Sequence, residues 1–269
     1  MPRHARPFAV IAILGALAAF PMALRAAPTV RVPAAIDRAA WDALLQRRVD
    51  ERGLVDYAGW LASADDVRAL DDYLAHYART DGAAATGNEE IAALINAYNA
   101  CTIRWILKNY PTESIRQTDD AWSAARWDIG GRVVSLDEIE HKNLRPLYGW
   151  NVHATIVCAA RSCPPLQRAA YSAENLAPLT AQAYRAWLTR PELNRYTPAR
   201  GEVELSPIFK WFKEDFTGEG ALAKILEQFG PVEHRAFFAA AKFDVDYLDY
   251  HWGLNDQSGR GEKYKHGWF

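Results

Sequence analysis

The chain has only three cysteines in 269 residues, too few for a small scaffold built on disulfides. It also lacks any block of like charge. The 31 Lys and Arg residues stand against 33 Asp and Glu, which leaves no electrostatic footprint for nucleic acid and no polybasic patch for a membrane surface. No internal repeat is present, and no apolar run beyond the N-terminal one is long enough to span a bilayer. Glycine-rich phosphate loops, dinucleotide fingerprints, Gly-x-Ser-x-Gly elbows and His-Glu-x-x-His helices are missing, so nucleotide chemistry and the common hydrolase classes have no motif behind them. Nothing implies a cofactor.

What the N-terminus does have is Arg3, His4 and Arg6 ahead of an uncharged apolar run from Phe8 to Leu24, followed by Ala26 and Ala27. This is the layout of a secretory signal. Residues 1–26 are read as a signal peptide or, if retained, an N-terminal anchor, and the protein is expected to be exported, to the periplasm or beyond. No cysteine follows the run closely enough to be lipidated. With 50% hydrophobic residues, residues 27–254 suffice for one core and are read as a single, monomeric domain. Residues 255–269, polar and glycine-bearing, are read as a C-terminal tail.

Helical spacing appears at Ile36 to Arg48, at Ala64 to Tyr77 behind a Ser63 cap, and at Asn88 to about Leu107, where the apolar residues occupy most sides. Gly53 to Tyr57 reads as a short extended arm. Gly130-Gly131 joins two short β-segments into a hairpin, and Ser135-Leu-Asp-Glu138 is a capping box for a helix that should end near Pro146. A helix at about Asn175 to Thr189, a hairpin around Arg200-Gly201, helices from Ser206 and over Ala221 to Phe229, and a strand at Phe243 to Tyr250 complete the pattern. Helices interleaved with short hairpins predict a mixed α+β domain.

The segment His153-Ala-Thr-Ile-Val-Cys158-Ala-Ala-Arg-Ser-Cys163-Pro-Pro-Leu166 concentrates the reactive groups. Thr155, Ile156 and Val157 predict a buried strand, and Pro164 and Pro165 predict a loop after it. On a regular strand His153 and Cys158 face opposite ways, which makes Cys163 the better partner for His153. Cys163 precedes a proline suited to open a helix, where unpaired N–H groups favour a thiolate. In the central helix Asn96 and Asn99 share a face, either to satisfy loop carbonyls or to orient a reacting group. Cys101 reads as a small core residue.

Taken together, Ile95-Asn-Ala-Tyr-Asn99, Ser135-Leu-Asp-Glu-Ile-Glu-His141, His153 with Cys158 and Ser162-Cys-Pro-Pro165, and Ser206-Pro-Ile-Phe-Lys-Trp211 followed by Asp215-Phe216 resemble the domain of unknown function 547 family, over roughly Asp50 to Gly230. The resemblance implies membership without a particular reaction. Cys101 departs from it, since the family usually has an aliphatic residue there.

Four readings of the cysteine block stand open. A Cys158–Cys163 disulfide suits an exported protein and would fix a loop around a pocket in a non-catalytic binding or scaffold protein. A thiol-dependent hydrolase or acyl transferase acting on an amide or ester would use Cys163 as nucleophile, His153 or His141 as base and Asn99 or Asp137 as orienter. A zinc site would draw on His141, His153, Cys158 and Cys163. Free buried thiols are the fourth. Among the active readings the second leads, with Cys163, His153, His141 and Asn99 as catalytic candidates, no metal, and a small molecule or peptide as partner. Asn96, Cys158, Arg161, Lys210 and Asp215 are candidates for binding. Phe212 and Phe216 are expected to anchor the core.

Overall fold

The computed structural model describes residues 29–264; the segment read as a signal or anchor lies outside them. Helices α1 (Ala39–Arg48), α2 (Tyr57–Ala62) and α3 (Ala64–Ala75) form a layer against α4 (Asn88–Asn109). Ser63 caps α3 by accepting the Asp66 N–H at 3.2 Å, as its sequence predicts. All residues of α4 from Ile91 to Ile103 are buried, so this helix is the axis around which the first core assembles. Among the described residues no helix is long and apolar enough to cross a membrane.

β1 (Trp127–Ile129) and β2 (Arg132–Val134) pair antiparallel, Ile129 opposite Arg132, across two glycines with positive φ that the two-residue turn requires. Ser135 and Glu138 then close a reciprocal capping box, at 3.3 and 3.1 Å. The helix that follows is a wide π-helical turn, Glu138–Leu144. It runs into α5 (Arg145–Tyr148), which holds Pro146 and ends shortly after it at Gly149, near the stop its sequence predicts.

The C-terminal half builds a second core from α6 (Leu176–Leu188), α7 (Ile208–Trp211), α8 (Leu222–Phe229) and α9 (Arg235–Ala239) with a three-stranded sheet. In that sheet β4 (Glu202–Leu205) pairs antiparallel with β3 (Arg195–Thr197) and parallel with β5 (Asp244–Tyr247). Helices and two small sheets in one mixed α+β domain match the fold class read from the sequence. Tyr250 packs against both cores, and the reactive segment runs between them.

The strand expected at His153 to Cys158 does not form. His153 lies in the last turn of a 3₁₀ helix, Gly149–Ala154, and the β-formers after it have no neighbouring strand. Their backbone groups are met by side chains: Asn99 donates to the Thr155 carbonyl and accepts from the Val157 N–H, both at 2.9 Å. With its hydrogen bonds satisfied in this way, the segment gains nothing from a sheet. The parity argument built on a regular strand falls with it.

The chain beyond Leu254, read as a tail, is docked as far as it is described. The Val55 N–H reaches the Asn255 carbonyl at 2.8 Å, and the hydroxyls of Tyr57 and Tyr110 donate to the side chains of Asn255 and Asp256, each at 2.9 Å. Polar composition there serves buried pairing.

Candidate active site

Between the two cysteines Ala159 takes a left-handed conformation, φ 60°, which costs a residue with a Cβ about 1–2 kcal/mol. The turn brings the Cys158 N–H to 3.2 Å from Cys163 Sγ. The Tyr250 hydroxyl lies 3.2 Å from the same sulfur and 3.4 Å from Cys158 Sγ. Both cysteines are free thiols, so the expected bridge is not formed.

Burial opposes ionisation of Cys163, but hydrogen bonds from the Cys158 thiol, from Tyr250 and from the N–H groups of Ala160 and Cys158 outweigh it and hold the Cys163 thiol below its ordinary value. Cys158 is driven well above its own, by donating to Cys163 and by burial. Burial likewise keeps the Tyr250 hydroxyl protonated. One sulfur is thus surrounded by donors that favour its thiolate, and its neighbours keep their protons.

His153 is buried, with Nε2 2.8 Å from Asp215 Oδ2. Arg145 grips the same carboxylate twice, Nε to Oδ2 at 2.7 Å and a second nitrogen to Oδ1 at 3.0 Å. Although its partial burial works the other way, hydrogen bonds from His153 and Arg145 hold Asp215 well below the usual carboxylate range. An ionised carboxylate can only accept, so Nε2 of His153 carries the hydrogen and Nδ1 keeps the lone pair. Burial outweighs the Asp215 charge and lowers the His153 pKa, leaving a neutral imidazole. Phe212 stacks on its ring at 4.4 Å.

His141 sits at the mouth of the site. Arg145 donates to its Nδ1 at 3.2 Å, and burial together with that guanidinium lowers its pKa. Its own hydrogen therefore sits on Nε2, 3.9 Å from Asp137 Oδ1. A lone pair already engaged by Arg145 makes His141 a poorer base than His153.

Both sulfurs and both imidazoles line one cavity of about 190 Å³. Glu140 and Tyr98 line it too, and burial raises the Glu140 pKa to about 7 against the pull of the Tyr98 hydroxyl and the Arg145 charge. The sequence reading passed over Glu140, yet it holds a signal: Leu136, Glu140 and Leu144 recur every four residues, which puts a carboxyl in the apolar stripe of its helix. Arg145, one turn beyond His141, was equally readable. Tyr250 and Tyr98 have no such mark, because only the tertiary fold brings them here.

Other candidates fall elsewhere. Asn99 spends its whole amide on the backbone of Thr155 and Val157, and Asn96 does the same for Tyr171, at 2.8 and 2.9 Å. These are clamps, and Asp215 orients the histidine in place of Asn99 or Asp137. Arg161 lines a second cavity, of about 310 Å³, which Cys163 also borders, and its guanidinium pairs with Glu262 at 3.1 Å. Lys210 lies over the Tyr247 ring, at 5.7 Å, away from the cysteines. Phe216 is buried in the second core as expected. No group of three or more His, Cys, Asp or Glu among the described residues is placed to hold a metal ion.

No curated protein and no solved structure matches the chain. The family comparison covers the blocks at Asn96, Ser135 and Cys163, while the block that ends in Asp215 lies beyond it although it closes the site in space. Residues 83–188 match the family described as "Protein of unknown function, DUF547", and that segment is assigned to it.

Proposed function

We propose that the protein is an exported, thiol-dependent hydrolase or acyl transferase acting on an amide or ester. The observation that carries this reading is the donor set on Cys163 Sγ in the cavity that also holds His153, itself oriented by Asp215. A lowered thiol and a neutral, oriented imidazole lining one cavity are the two groups that nucleophilic acyl chemistry requires.

In this reading Cys163 Sγ attacks the carbonyl carbon of the substrate. As it attacks, the thiol passes its proton to Nδ1 of His153, and Asp215 stabilises the imidazolium. Collapse of the tetrahedral intermediate breaks the bond to nitrogen or oxygen, and the imidazolium returns the proton to the departing amine or alcohol. Water, or an acceptor amine or alcohol, then attacks the thioester while His153 takes its proton, and the thiol is restored. Neither a metal nor an oxidant enters the balance.

The test is pre-steady-state reaction with p-nitrophenyl acetate. The expected result is a nitrophenolate burst of one equivalent per chain, absent in Cys163→Ser and strongly slowed in His153→Ala. A full burst in Cys163→Ser would overturn the proposal, as would none in the native protein while Cys163 is shown to be reduced. In the latter case the non-catalytic binding protein becomes the better account of the cavity.

A further inference from the structure

Among the described residues Glu140 is a buried carboxyl with no ion-pair partner of its own. It is 8% exposed, and the cations around it are engaged elsewhere, Arg145 by Asp215 and Glu214 and Lys142 by Glu138. Its own partner is the Tyr98 hydroxyl. Taking a carboxylate out of water without an opposite charge is costly, and here the group faces a cavity. A ligand that supplies the charge would remove that cost.

The walls fit such a ligand. Trp122, Trp211, Phe212, Tyr250 and Trp252 line the cavity with Glu140. The Tyr250 ring lies 4.8 Å from Trp211 and 4.6 Å from Trp252, so three rings form one continuous wall. Asp137 adds a second carboxylate to the lining, with the His141 nitrogen 3.9 Å away. Aromatic faces attract cations through their quadrupole, most strongly where water is excluded. The protein uses these rings in that way already: Arg116 lies 5.1 Å from the Trp252 centroid and Arg145 5.0 Å from that of Phe212.

We infer that the cavity beside Cys163 recognises the ammonium head of a small amine-bearing molecule, with Glu140 as its counter-charge and Trp211, Tyr250 and Trp252 as its cage. This names a substrate class for the acyl chemistry proposed above and rests on that reading only in calling the molecule a substrate. A space of about 190 Å³ admits a compact ammonium group.

The experiment uses the full chain carrying Cys163→Ala, which binds without turning over. Choline and its uncharged carbon analogue, 3,3-dimethylbutan-1-ol, are titrated against intrinsic tryptophan fluorescence. Saturable quenching by choline is expected, with the alcohol about tenfold weaker. Glu140→Gln should weaken choline by about tenfold and leave the alcohol unchanged. Trp211→Ala, at a ring 45% exposed whose truncation spares the core, should weaken choline as well. Equal binding of the two probes, no saturable choline signal, or indifference of choline to both substitutions would overturn the inference. Because no variant here can acylate, such a failure leaves the ester burst untouched, and loss of the burst leaves the cation site untouched.

Discussion

Replacing Cys158 by alanine removes one of the donors that lower the Cys163 thiol. The Cys158 thiol donates to the Cys163 sulfur, while the Cys158 N–H at 3.2 Å and the Tyr250 hydroxyl at 3.2 Å remain in the variant. A hydrogen bond to a charged group contributes about 1.5–3 kcal/mol, and a thiol is a weak donor, so the lower end applies. At about 1.4 kcal/mol per pH unit, the Cys163 midpoint should rise by about one unit. The sign follows from the donor favouring the deprotonated form, so that its loss returns the sulfur toward an ordinary thiol. Ultraviolet thiolate absorbance against pH, taken as a difference from Cys163→Ser, reads the midpoint directly. Cys101 stays silent, since burial pushes its thiol well above the ordinary value. A midpoint that stays in place or falls would refute the donor set as the cause of the lowered thiol.

Three further outcomes follow from the same geometry. Asp215→Asn should abolish the ester burst by freeing the His153 ring, and should cost about 1–2 kcal/mol of stability at neutral pH, the pair being partly open to solvent. Because the Asp215 pKa is depressed, its contribution is present above the unfolded value of about 4 and fades as pH falls through the lower folded one; urea unfolding at neutral and acid pH should show the variant's deficit shrinking in acid. Glu140 has the opposite sign: raised from 4.5 to about 7, it favours folding while protonated and costs stability as pH rises through about 7. Glu140→Gln, with Tyr98, Arg145, Asp137 and Asp215 in place around it, should therefore stabilise the chain by about 3 kcal/mol at about pH 8 and by little at about pH 4; equal effects at both would contradict the burial assigned to Glu140. Asn99→Ala leaves the Thr155 carbonyl and the Val157 N–H without their partner and should cost about 2–4 kcal/mol in urea unfolding, with little change if water replaces the amide.

Local signals were legible in the chain where local forces decide structure. The apolar surround of α4, the Ser63 cap, the Ser135–Glu138 box and the Gly130-Gly131 turn each specify their element within a few residues. The segment after His153 was not legible, because a pair of hydrogen bonds from Asn99, across 56 and 58 residues, decides its conformation against its β-propensity. The same holds for the site. Cys163, His153 and Asp215 stood out by type and neighbourhood, whereas the role of Tyr250 depends on a contact from a distant part of the chain, 87 residues from Cys163. Asn99 was singled out correctly as a buried amide needing partners, and those partners proved to be backbone groups.

The central claim is that Cys163 is the prepared nucleophile of the chain. Limited iodoacetamide treatment of the native, reduced protein near neutral pH, with mass-spectrometric mapping of the modified cysteine, tests it most directly. Selective modification of Cys163, ahead of Cys158 and Cys101 and with a rate that titrates below an ordinary thiol, is the predicted result. Modification of Cys158 first, or no labelling of Cys163 until the protein is unfolded, would contradict it.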